Sequence, residues 1–162
     1  AVALAPGAGG ASKRWPLDNF VASGGQLVDA GYRPVFVLGP DEVALREKLV
    51  ESVPEAAFPL QAACVDELAD EPFLTMALAK RCLGGVANDS GIGHILAATS
   101  VPMVTLFGPT NADKFAPSNP NAVCLRAQAF GGRSMSAIPV EAVWRELTHL
   151  IEAGSTRKVP EV

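Results

Sequence analysis

The chain has little charge, little cysteine and no basic tract, and each shortage removes a class of function. Charged residues fill 19% of its 162 positions, and the formal net charge is −4. Nucleic-acid binders carry a broad basic surface, so a polynucleotide partner is excluded as the main role. An anionic ligand must then be held locally, by Lys13 with Arg14, by Lys80 with Arg81, or by Arg133 in a glycine-rich stretch. The three cysteines, Cys64, Cys82 and Cys124, are odd in number, far apart and not matched with histidines at metal-ligand spacing. They read as buried free thiols, and no metal or cofactor is expected. No apolar run reaches the roughly 18 to 20 residues that cross a bilayer. Nor does a basic stretch precede an apolar one at the start, as in a signal peptide. The expectation is a cytoplasmic location without a transmembrane segment.

What is present in quantity is apolar: 49% of residues, with a mean hydropathy of +0.24. The length suits one domain with a proper core, here residues 1–154, followed by a tail over 155–162. Strand-like runs alternate with helical periodicity throughout, the pattern of a doubly wound, Rossmann-like α/β fold whose parallel sheet is covered on both faces. Six strands are predicted, over 1–5, 34–38, 85–88, 102–107 and 122–126, with a weak one over 59–62. Helices are predicted from Pro16 to Gly31, over 42–52, 70–82 and 90–99, and between Pro139 and Gly154, where Val140, Val143, Trp144, Leu147, Leu150 and Ile151 share a face. In such a fold ligands lie at the carboxyl ends of the strands.

Two loops at that edge are candidates for chemistry. The first, residues 6–16, carries Gly7, Gly9 and Gly10 and then Ser12, Lys13, Arg14, Trp15 and Pro16. It is not a P-loop, since Ser12 precedes Lys13 and no hydroxyl residue follows. It is not a dinucleotide fingerprint either, because Ser12 stands where the third glycine belongs. An ordinary glycine-rich turn with a solvated basic pair fits it equally well. The second loop, Asn88, Asp89, Ser90, Gly91, Ile92, Gly93, His94, opens directly into a helix. Ser90 is a natural N-cap, and glycines in the first turn let an anion approach free N–H groups at the positive helix end. This makes a diphosphate seat. His94 falls in or beside that turn, and as a lone histidine it fits a packing role as readily as a ligand contact.

Asp89 can accept hydrogen bonds from a sugar or cap its loop. The next strand closes on Leu106, Phe107, Gly108, Pro109 and Thr110, a turn able to bring Thr110 to the same crevice. Asp41 and Glu42 stand where a ribose acceptor is often found, or serve as helix N-terminal carboxylates. Leu68 and Phe73 fit either the wall of a base site or core positions. An apolar face near Phe115, Phe130 and Met135 is expected to be exposed.

On these residues the sequence resembles the C-terminal domain of the lipopolysaccharide heptosyltransferases, glycosyltransferase family 9, which use ADP-heptose and have the GT-B fold. The resemblance covers nearly the whole chain. It rests on Pro6, Gly7, Lys13, Arg14, Trp15 and Pro16; on Asp89, Ser90, Gly91 and His94; and on the run from Leu106 to Thr110, with a weaker echo in Ser136, Ile138, Val140, Glu141 and Val143. It implies one half of a GT-B enzyme and an inverting transfer of a sugar from a nucleotide diphosphate to a lipid-linked oligosaccharide, peripheral at the inner membrane. By position, Lys13 neutralises the donor diphosphate, the amides around Gly9, Ser90 and Gly91 share that task, Asp89 orients the sugar, His94 buttresses the loop, Asp41 or Glu42 holds the ribose, and Thr110 flanks the phosphates. Ala8 and Gly9 stand where some relatives carry hydroxyl side chains. An N-terminal acceptor domain with the general base does not precede the first strand, so the chain alone is expected to transfer little sugar. Three alternatives stay open: a non-catalytic nucleotide-binding module, a transferase using a UDP-sugar, and a doubly wound domain whose loops are merely structural.

Overall fold

The computed structural model describes residues 1–39, 42, 44–62 and 72–156. Strands β1 (Val2–Ala5), β2 (Pro34–Phe36), β3 (Gly84–Asn88), β4 (Met103–Phe107) and β5 (Ala122–Arg126) form one sheet in the order β2-β1-β3-β4-β5. Every pairing is parallel. Between the strands lie α1 (Leu17–Asp29), α2 (Leu45–Ser52), α3 (Pro72–Ala79), α4 (Gly91–Ala97) and α5 (Ala112–Phe115), and α6 (Val140–Thr156) comes after β5. This is the doubly wound α/β arrangement expected from the alternation.

The weak strand predicted over 59–62 is instead a 3₁₀ turn, Pro59–Gln61. Pro59 has no N–H to give a ladder. Pairing is confined to an isolated parallel bridge two residues earlier, between Val35 and Ala57. The described helix α3 begins at Pro72, and the first two residues of its predicted span lie outside the described residues, as do Cys64, Leu68 and the tail beyond residue 156.

The period-two alternation of the strands separates two unlike faces. Val2, Leu4, Phe36, Val86, Val104 and Leu106 pack with Phe20 and Leu27 of α1, Leu49 of α2 and Val143, Leu147 and Ile151 of α6. The other face is built from Ala3, Ala5, Ala87 and Met103 against Ala79 of α3 and Leu96 of α4. The small alanines let α4 pack closely on β3, with α3 beside α4. On the first face Gly84 has the same effect for α6, since a Cβ there would lie 3.1 Å from Ile151 Cγ1.

Helix α1 starts behind Pro16, whose missing N–H costs nothing at that position. It ends in a Schellman turn: Tyr32 N–H donates to Leu27 O at 2.8 Å and Gly31 N–H to Val28 O at 2.9 Å. Gly31 adopts φ 78°, which glycine allows without strain. The exposed face expected near Met135 is corrected in part. Phe115 is exposed, but Phe130 packs partly buried against the core and Met135 is buried in it. Glycine at 108 makes that burial possible, because a Cβ there would stand 2.7 Å from Met135 Sδ. Phe73 is 77% exposed rather than core. Among the described residues no helix is long and apolar enough to cross a membrane.

Candidate functional site

Strands β1 and β3 are neighbours, yet the chain leaves β1 toward β2 and leaves β3 toward β4 on the opposite side. Where connections diverge in this way, the sheet opens a crevice at the strands' carboxyl ends. Both candidate loops leave from this point, 6–16 from β1 and 89–90 from β3.

A buried amide ties them together. Asn88 ends β3 with a fully buried side chain. Its Nδ2 donates to Pro6 O at 2.8 Å and to Gly7 O at 3.4 Å, while Oδ1 accepts from Trp15 N–H at 3.1 Å. Trp15 is itself buried, edge-on to Phe20 with ring centroids 5.1 Å apart, and its indole Nε1 donates to Ile138 O at 2.9 Å. The first loop is thus held at both ends.

The charged centre lies between the loops. Asp89 is 7% exposed, and its Oδ2 accepts from Lys13 Nζ at 2.8 Å and from Thr110 Oγ1 at 2.8 Å. Two charge-assisted bonds on one oxygen satisfy a carboxylate that would be costly to bury alone. His94 Nε2 stands 4.0 Å from Oδ1, too far for a hydrogen bond, and is half exposed. Lys13 and Asp89, assigned from sequence to different parts of a ligand, therefore bond to each other, with Thr110 and His94 beside them.

Next to this centre is a pocket of about 330 Å³ lined by Gly7, Gly9, Arg14, Glu42, Ser90 and Gly91 among others. Ser90 caps α4, its Oγ accepting from Gly93 N–H at 3.1 Å. The N–H groups of Gly91 and Ile92 precede any intrahelical carbonyl partner. Two kinds of glycine are distinguishable. A Cβ at Gly93 would stand 2.6 Å from Asn88 O, so packing demands glycine there. At Gly9 and Gly91 a Cβ would meet nothing within 4 Å. Nothing in the fold requires glycine at these two, and both expose bare backbone to the pocket.

Glu42 sits across this space, its Oε2 accepting from Gly39 N–H at 2.9 Å and its carboxylate lying against Gly7. Asp41 lies outside the described residues. Sequence reasoning gave Arg14 no role of its own, although it lines the pocket while its Nε donates to Ala8 O at 3.0 Å. The third loop, which carries Thr110, is braced from the chain's later part: Gln128 Nε2 donates to Gly108 O at 2.8 Å, and Met135 packs on Gly108.

Comparison with known proteins identifies the family and the fold. The model of glycosyltransferase family 9 (heptosyltransferase) matches residues 1–136. Lipopolysaccharide heptosyltransferase 2 of Escherichia coli K12 is 36% identical over 129 residues, covering 77% of this chain and 36% of that protein. Lipooligosaccharide heptosyltransferase 2 of Haemophilus influenzae is 31% identical over 128 residues, with the same coverage of 77% and 36%. The chain thus spans about a third of the length of the curated relatives it matches. Among solved structures, E. coli ADP-heptose lps heptosyltransferase II superposes with a TM-score of 0.79 at 26% identity, over 95% of this chain and 47% of that one. E. coli heptosyltransferase WaaC with ADP shares the fold at a TM-score of 0.74 and 22% identity, over 94% and 43%. A parallel sheet ordered around one switch point, a crevice edged by bare glycine backbone and a family match over most of the residues lead to one assignment: the chain belongs to glycosyltransferase family 9, the heptosyltransferases.

Proposed function

We propose that this chain is the donor-binding part of an inverting heptosyltransferase that uses ADP-heptose in lipopolysaccharide synthesis. The observation that carries the reading is the pocket edged by Gly9 and Gly91, where backbone is bare without any packing reason, beside the basic pair Lys13 and Arg14. The donor diphosphate sits there, against the α4 amides. Preorganised N–H groups and a cation stabilise the charge that builds on the nucleoside diphosphate as the sugar leaves. Lys13 turns from Asp89 toward the phosphate, and Asp89, still bonded to Thr110, becomes free to orient a donor hydroxyl. Glu42, on the other side of the pocket, holds the ribose. Two solved E. coli heptosyltransferase WaaC structures hold ADP and ADP-2-deoxy-2-fluoro heptose, which favours adenine as the base.

The acceptor hydroxyl needs a general base within hydrogen-bond reach. As the family resemblance implies, we assign that base to a separate N-terminal acceptor domain, so that residues 1–162 by themselves bind donor and transfer little sugar. The acceptor is a lipid-linked oligosaccharide, and it places the working enzyme at the cytoplasmic face of a membrane. Calorimetry of ADP, UDP and GDP with the purified chain tests the reading. ADP is expected to bind best, and Lys13→Ala to weaken it by about tenfold. Preference for UDP overturns the ADP-heptose assignment, and no nucleotide binding overturns the donor site.

A further inference from the structure

We infer that Asn88 is a positioning residue for the donor site, a buried amide that sets where the Lys13 loop stands relative to Asp89 and the first turn of α4. This rests on the donor-site reading above. The side chain is fully buried and does not line the pocket, which it reaches only through the carbonyl of Gly7. It spans the whole length of the first loop, taking the carbonyls of Pro6 and Gly7 at one end and the Trp15 amide at the other. The orientation of the amide is fixed by its surroundings, because carbonyls face the NH₂ and an N–H faces the oxygen. Lys13 is two residues from the Trp15 anchor, and Asp89 is the next residue after Asn88. One side chain therefore fixes the separation of the two partners in the Lys13–Asp89 pair. Its own backbone carbonyl is the atom that holds Gly93 free of a side chain, which adds the α4 turn to the same unit.

An ordinary buried polar residue would be replaceable by any side chain that leaves the fold intact. A positioning amide would not, and its donor side is what matters: the acceptor function toward Trp15 survives in a carboxylate, the donation to Pro6 does not. The informative variant is Asn88→Asp, of the same shape. When ionised it sets a charge against two carbonyl oxygens, and burial and that repulsion raise the pKa of the introduced carboxyl. Below this raised pKa the O–H restores a donor to Pro6 O.

The test measures ADP affinity by calorimetry for the wild-type chain and Asn88→Asp, at about pH 8 and about pH 5.5, together with hydrogen exchange of the 6–16 amides. Asp89, His94, Lys13 and the phosphate also titrate or carry charge here, so the variant is compared with wild type at each pH. The expected result is ADP binding weakened about tenfold or more at the higher pH, with faster exchange at Trp15 and its loop, and most of both losses reversed at the lower pH. Wild-type affinity in the variant at the higher pH, or a loss that acidification leaves unchanged, overturns the inference. If the wild-type chain binds no ADP, the donor-site reading fails by itself. The exchange data then decide for Asn88 separately, faster loop exchange supporting the clamp and unchanged exchange refuting it. If Asn88→Asp does not fold at the higher pH, Asn88→Ser is measured in the same way. It keeps a donor but cannot span the loop, and wild-type exchange in it overturns the inference.

Discussion

The two glycines of the α4 turn give opposite predictions for one substitution. Glycine to alanine within a helix gains up to about 1 kcal/mol of intrinsic propensity. At Gly91 nothing opposes that gain, as no atom beyond its chain neighbours and its own helix backbone lies within 4 Å of the added Cβ. At Gly93 the methyl meets the Asn88 carbonyl at 2.6 Å and Ala87 Cβ at 3.3 Å, and the first of these is backbone that no rotamer change can move. Overpacking of this kind costs about 1–3 kcal/mol, so the collision outweighs the propensity and Gly93→Ala is destabilised by about 1–2 kcal/mol net. Urea unfolding of both variants measures this, and Gly91→Ala is expected to be as stable as wild type or slightly more so. ADP calorimetry then reverses the order of interest. Gly91→Ala, intact in fold, loses about tenfold in affinity because its methyl stands at the mouth of the pocket where phosphate needs the backbone. Undiminished ADP binding by Gly91→Ala refutes the placement of the diphosphate. Wild-type stability of Gly93→Ala refutes the packing argument.

Two further outcomes follow from the geometry. Trp15→Phe keeps most of the buried ring but leaves Ile138 O without its donor, so unfolding free energy falls by about 1–3 kcal/mol, measured by urea titration. The thiols of Cys82 and Cys124 are both pushed up in pKa by burial, Cys82 more buried than Cys124. Less thiolate is present at neutral pH, so labelling by a thiol reagent lags behind a free cysteine and rises only as pH climbs through the raised values. Rapid labelling of both at neutral pH in the native state counts against this.

Much of the fold was legible because its signals are local. Apolar runs of four to six residues bounded by turns marked four of the five strands closely, and Pro16 with Gly31 bracketed α1. The sixth strand was misread because apolar content around Leu60 outweighed Pro59, which cannot donate to a ladder. Helix α5 was missed, being a single turn capped by Asn111. At the site the loops could be named, but not their pairing. Lys13 and Asp89 are 76 residues apart, and only the order of the strands brings them within 2.8 Å. Asn88 had a readable mark, a polar residue closing a strand buried along its whole length, whereas Arg14 had none to separate it from its neighbour Lys13.

The bracing of the crevice from residues 128–138 also bears on how the protein comes to exist. Loop one is pinned at Trp15 by Ile138, and loop three at Gly108 by Gln128, contacts reaching across 123 and 20 positions of sequence. On a ribosome, the strands that border the switch point emerge well before the segment that immobilises their loops. The sheet can pair early, while Trp15 stays without the carbonyl it needs until residue 138 has emerged. Long-range closure of this sort is slow relative to local helix formation. On the proposed donor-site reading, nucleotide affinity is thus a late property of the maturing chain, acquired after compactness, and a polypeptide stopped short of Ile138 would hold its strands yet present a slack mouth at the crevice.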